Sequence, residues 1–170
     1  MKPLFLIGFM GAGKSTVGAI VAQRLGRPFL DLDKEIERQQ GMSVAHLFEK
    51  LGESGFRDAE REALTLAAQR PELVVACGGG VVTDEASHAI LREHGVVVLL
   101  QVSADEAIAR VGRYVSGRPL LRAGDPGAVA ALLKSRERLY EAAADLLVDT
   151  ADRSPAEIAD EVVSLVEGIQ

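Results

Sequence analysis

The sequence contains no tryptophan, and aromatic residues make up only 4% of its 170 positions. Its core must therefore come mostly from Leu, Val, Ile and Ala. There is a single cysteine, Cys77. That excludes an internal disulfide and the zinc sites that need several thiolates. Cys77 reads instead as a small buried residue beside a glycine turn. Basic charge is also short: 19 Lys and Arg against 25 Asp and Glu leave a formal net charge of −6. General nucleic-acid binding relies on many Lys and Arg contacts to phosphate, so it is not expected. Any anionic ligand would need a local basic cluster acting against the overall field. No apolar run approaches the roughly 20 residues of a membrane span. Met1-Lys2-Pro3 leads into a short apolar stretch, not into a signal peptide with a cleavage site. The three histidines, His46, His88 and His94, lack metal-ligand spacing. The expectation is a cytoplasmic protein of one domain, residues 1–170, with no membrane or nucleic-acid partner.

What the chain does have is alternation. Leu4–Phe9, Pro28–Leu32, Leu73–Cys77, Val96–Val102 and Leu146–Val148 are short, apolar and strand-like. Between them, Thr16–Leu25, Val44–Gln69, Ala104–Val111 and Ala128–Ala144 carry helical spacing. Strands alternating with helices predict an α/β fold with a mainly parallel sheet. Ser103 with Glu106, and Ser154 with Glu157 behind Pro155, read as capping boxes that start two helices. Residues 107–124 hold Arg110, Arg113, Arg118 and Arg122 and no acid, punctuated by Gly112, Gly117 and Gly124. This segment is either a flap over an anion or a solvated loop.

Gly8-Phe-Met-Gly-Ala-Gly13-Lys14-Ser15 fits the G-x-x-x-x-G-K-[ST] pattern and stands between a strand and a helix, as that motif requires. Its glycines let successive amides turn toward phosphate oxygens, and the helix N-terminus adds a positive dipole end. Lys14 would reach the outer phosphates and the Ser15 hydroxyl would ligate Mg²⁺. The strand-end Asp that usually completes such a site is missing after Leu73–Cys77, so Asp31 is assigned that place. In Asp31-Leu32-Asp33, residues two apart on a strand share a face. Both carboxylates would then emerge together at the carboxyl edge of the sheet, where open α/β sheets bind ligands. The alternative is that Asp33 merely caps the next helix. Gly52 and Gly55 interrupt a helical stretch at about 1 kcal/mol each, which calls for a kink or a close ligand approach. Arg57 and Glu60, three apart, share a helix face: a surface ion pair, or an arginine held ready for a carboxylate. Gly78-Gly79-Gly80 allows a ligand to lie on bare backbone, or is only a permissive turn. On spacing alone, Arg136 reads as a surface residue of a helix.

Taken together, Gly-Phe-Met-Gly-Ala-Gly-Lys-Ser-Thr, Asp-Leu-Asp, Gly-Glu-x-x-Phe-Arg-x-x-Glu, Gly-Gly-Gly, Arg-Pro-Leu-Leu and Arg-x-x-Leu-Tyr resemble the shikimate kinase family, in order from Leu4 to about Pro155. The resemblance implies a P-loop NTPase fold of the nucleoside monophosphate kinase type: three α/β/α layers, a five-stranded parallel sheet and a mobile lid over approximately 112–124. It implies an ATP- and Mg²⁺-dependent kinase acting on the 3-hydroxyl of shikimate, and a monomer. Gly11, Ala12, Gly13, Lys14, Ser15 and Thr16 would hold the phosphates. Ser15 would hold the metal, with Asp31 acting through water. Asp33 would orient the hydroxyl or take its proton. Arg57 and Arg136 would grip the carboxylate, with Gly78, Gly79 and Gly80 alongside. Arg118 would reach the transferring phosphate, and Arg110 and Arg153 would lie around the adenine. Another small metabolite kinase, such as gluconate kinase, would share the loop and lid but not the set Asp33, Arg57 and Arg136. A nucleotide-dependent switch would leave that set and Gly78–Gly80 unexplained.

Overall fold

All five apolar runs become strands: β1 Leu4–Ile7, β2 Phe29–Asp31, β3 Val74–Ala76, β4 Val96–Gln101 and β5 Leu146–Asp149. They form one parallel sheet in the order β2-β3-β1-β4-β5. Leu4 of β1 sits level with Val74 on one side and Val96 on the other. The computed structural model describes residues 1–111 and 126–169. The expected lid, with Arg113, Arg118 and Arg122, lies outside the described residues. Among the described residues the helices are α1 Lys14–Leu25, α2 Leu32–Gln40, α3 Val44–Ala68, α4 Glu85–His94, α5 Ala104–Val111, α6 Pro126–Ala143 and α7 Pro155–Glu167, with a 3₁₀ turn at Val81–Thr83.

Both faces of the sheet are apolar because both are covered. Leu4, Leu6, Val74, Val98 and Leu100 point to one side and meet α1 and α7 through Val17, Val21, Ile158 and Val162. Phe5, Ile7, Val75, Val97 and Leu99 point to the other and meet α3, α4 and α6 through Leu64, Leu91 and Tyr140. The result is three layers, α/β/α. Among the described residues, no helix is long and apolar enough to cross a membrane.

Both capping boxes form: Ser103 and Glu106 exchange hydrogen bonds at the start of α5, and Ser154 and Glu157 at the start of α7. The kink that Gly52 and Gly55 called for is present, and one expectation is corrected. The stretch 44–69 is not one straight helix. It breaks at Gly52, whose φ of 69° and ψ of −177° lie in a region open essentially only to glycine. The second strand ends at Asp31, and Leu32 already begins α2. Asp31, not Asp33, is the cap, accepting from the Lys34 amide at 3.2 Å. Asp33 therefore stands in the first turn of a helix and not on a strand face.

Candidate active site

The chain leaves β1, β2 and β3 at the same edge of the sheet, and the loops there surround a cavity of about 520 Å³. That is the size range of a small-molecule site. Its first wall is the loop from Gly8 to the start of α1. Gly13 precedes that helix in the left-handed region, and no side chain caps it. The positive end of α1 thus opens on the cavity, which Gly11, Gly13, Lys14, Ser15 and Thr16 line. Lys14 Nζ donates to the carbonyls of Gly8 at 2.7 Å and Phe9 at 3.0 Å. Ala12 is buried behind the loop in the sheet core, and its amide donates back to the Phe9 carbonyl. It shapes the loop and does not line the cavity.

Ser15 Oγ donates to Asp31 Oδ2 at 2.5 Å. This bond ties the start of α1 to the end of β2 and places a hydroxyl and a carboxylate together on the wall. Asp33 also lines the cavity, from the first turn of α2.

The far end is built around a buried ion pair. Arg57 Nη1 donates to Glu60 Oε1 at 2.7 Å, and Glu60 has no exposed surface. The surface-pair alternative is excluded. Burial raises the Glu60 carboxyl to about 7, helped by the charges of Asp33 and Asp84 and opposed by Arg57. The glycine turn after β3 is what admits these groups. A methyl at Gly78 would stand 2.7 Å from Glu60 Oε2 and 3.0 Å from Asp33 Oδ1. A methyl at Gly80 would stand 2.0 Å from Arg57 Nη2. Arg136 is only 4% exposed, so the surface reading of this residue is corrected. It reaches across from α6, and its Nη1 donates to the Gly79 carbonyl at 3.3 Å. Among the described residues, four cations, Lys14, Arg57, Arg110 and Arg136, thus face one cavity of an acidic protein.

The family model for shikimate kinase matches residues 10–167. The chain belongs to the shikimate kinase family. Shikimate kinase from Bordetella avium (strain 197N) is 46% identical over 149 residues, covering 87% of this chain and 71% of that protein. The structure of shikimate kinase from Acinetobacter baumannii in complex with shikimate superposes with a TM-score of 0.95 at 36% identity, over 100% of this chain and 95% of that one. A gluconokinase from Sinorhizobium meliloti covers 99% of this chain and 93% of its own, but at 19% identity and a TM-score of 0.58. That likeness is one of fold alone.

The site residues that the resemblance implies line the cavity with one exception among the described residues outside the loop. Arg110 on α5 lines it and is anchored by the Gly11 carbonyl at 3.0 Å and by Thr150. Arg153, between β5 and α7, does not line it. Its guanidinium is held by the Asp149 and Glu157 carbonyls and paired with Glu161. Arg118 lies outside the described residues. Sequence reading missed an apolar wall formed by Met10, Val44, Phe48 and Phe56. Phe48 and Phe56 stack at 4.5 Å across the break in α3. Glu37 was missed as well; it lines the cavity and accepts from the Val44 amide at 2.9 Å. Helical spacing from Val44 carried a signal for the wall, but a core stripe has the same pattern. Cys77 is buried, and burial pushes its thiol up, so it is inert packing.

Proposed function

We propose that this chain transfers the γ-phosphate of ATP to the 3-hydroxyl of shikimate, giving shikimate 3-phosphate and ADP. The observation that carries the reading is that one cavity joins two unlike ends. One end is an uncapped helix N-terminus with Lys14; the other holds Asp33, Arg57 and Arg136. A hydroxylated carboxylic acid bound at the second end would face a nucleotide bound at the first.

In this reading, the amides of Gly11–Thr16 cradle the phosphates, and Lys14 neutralises the charge shifted toward the leaving group. Arg57 and Arg136 grip the carboxylate of the acceptor through charge-assisted hydrogen bonds. Asp33 accepts from the attacking hydroxyl and turns its lone pair toward phosphorus. Gly78–Gly80 give the ring a close backbone floor, and Val44, Phe48 and Phe56 cover its apolar face. Arg110 borders the nucleotide. Arg118 stays assigned to the transferring phosphate, and Arg153 to the periphery of the adenine.

The fit for Mg²⁺ is chemical. Ser15 and Asp31 offer a hydroxyl and a carboxylate as adjacent hard oxygens, and this ion takes few protein ligands and keeps several waters. Ser15 would hold it directly and Asp31 through water; when bound, it neutralises charge on the phosphate oxygens. The reading also takes the enzyme as a cytoplasmic monomer of one kinase domain. A coupled ADP-release assay with shikimate, with gluconate and with no acceptor tests the reaction. Turnover that depends on shikimate alone is expected. Equal turnover in all three arms would make the chain a nucleotide switch, and preference for gluconate would reassign the acceptor.

A further inference from the structure

Helix α6 presents two polar side chains four residues apart, hence on one face. Arg136 and Tyr140 both end at the same atom, the carbonyl oxygen of Gly79. Arg136 Nη1 reaches it at 3.3 Å, and the Tyr140 hydroxyl donates to it as well. Tyr140 is 2% exposed, and burial pushes its phenol up to about 12. At any working pH it is therefore a fixed donor and not a titrating group.

Gly79 also borders the phosphate loop. A methyl there would stand 3.5 Å from the Met10 amide nitrogen, 3.8 Å from the Gly8 carbonyl oxygen and 3.9 Å from Arg136 Nη1. The glycine turn thus lies in reach of both α6 and the loop. A carbonyl with two donors cannot rotate without losing both bonds, and the peptide that follows it leads into Gly80, against which the Arg57 guanidinium lies. The Gly79 carbonyl therefore ties α6 to a turn that borders both the phosphate end of the cavity and the acceptor end.

We propose that Tyr140 is a positioning residue for the acceptor. Its hydroxyl holds the Gly79 carbonyl so that Arg136 and the glycine turn are presented to shikimate at a fixed distance from the phosphate loop. The inference rests on the shikimate kinase reading above.

Tyr140→Phe tests it, because the ring and its packing stay and only the donor goes. The KM for shikimate is expected to rise about threefold to tenfold, the scale of one neutral hydrogen bond. The KM for ATP should stay within about twofold, and the urea midpoint close to wild type. A second variant adds a readout that packing alone would not move. Since Arg136 shares the carbonyl, the effect of Tyr140→Phe should change in an Arg136→Lys background. An unchanged shikimate KM in Tyr140→Phe overturns the proposal. So does an equal rise in both KM values, or strictly additive effects in the double variant. Should Tyr140→Phe fail to fold, the hydroxyl serves the core and the proposal falls. The wild-type arm separates the two readings: no shikimate-dependent turnover there refutes the kinase assignment, whereas normal wild-type turnover with an indifferent Tyr140→Phe refutes only the role of Tyr140.

Discussion

Arg57 and Glu60 form one buried pair whose two members answer to different measurements. Deleting the arginine outright would leave a buried carboxylate uncompensated, at a cost of about 3–5 kcal/mol. Arg57→Lys is the cleaner change, because it keeps the charge and removes the planar fork. Shikimate KM should then rise about tenfold to a hundredfold, matching the loss of a charged hydrogen bond, with ATP affinity close to normal. Equal losses for both ligands would make Arg57 a structural residue. Asp33→Asn keeps the shape and removes the acceptor charge, so kcat should fall at least about a hundredfold while shikimate binding changes less. A drop below fivefold would demote Asp33. Glu60 carries a pH prediction. Its carboxyl sits at about 7 because burial disfavours the anion. The folded state therefore holds a proton that the unfolded chain releases near 4.5. Between those values the folded protein binds more protons, so this residue makes stability fall as pH rises, by about 3 kcal/mol over the window, and then level off. Subtracting urea-melt data for Glu60→Gln from wild type between pH 4.5 and 8 isolates the term. A flat difference, or one rising with pH, would contradict the burial argument.

The broken α3 is the element on which the acceptor end turns. Its first half carries Val44 and Phe48, and its second half Phe56, Arg57 and Glu60. Gly52 sets the angle between them. Gly52→Ala places a side chain in a glycine-only conformation, so stability should fall by about 1–3 kcal/mol. Because the two halves hold opposite parts of one wall, shikimate KM should rise more than ATP KM. Denaturant melts and steady-state kinetics together check this; an unchanged melt would mean that the break is not enforced by Gly52. The need for a break was visible in the sequence, since Gly52 and Gly55 both weaken a helix. Its position was not, because both glycines signal equally and only packing selects Gly52. The five strands were legible because all are apolar on both faces, although each boundary depended on the neighbouring turn. Asp33 was misplaced for the same reason: a period of two was carried past Asp31, where the cap had already turned the chain into α2.

At the scale of the whole molecule, the site exists only because the loops after three strands reach one edge of the sheet while α6 closes over them. Ligands that bind such an assembly should stabilise all of it. A non-hydrolysable ATP analogue with Mg²⁺, or shikimate, each at a hundred times its dissociation constant, should add about 2.7 kcal/mol. For a chain of this size that corresponds to a thermal midpoint about 5–10 °C higher. A shift with nucleotide but none with shikimate would detach the acceptor end from the reading. What the sequence determined alone was the local chemistry. The phosphate loop is a contiguous run whose spacing is its mechanism, and the capping boxes and strand runs are set by neighbours a few residues away. The tertiary structure decided what depends on distant partners. It decided between the two readings of Arg57 with Glu60 by burying the pair, brought Arg136 from an ordinary helix face into the cavity, and left Arg153 outside it. It also set Tyr140 against Gly79, sixty-one residues away along the chain. Burial of a charged side chain is a property of what packs on top of it, and the local spacing of Arg57, Glu60 and Arg136 did not encode it.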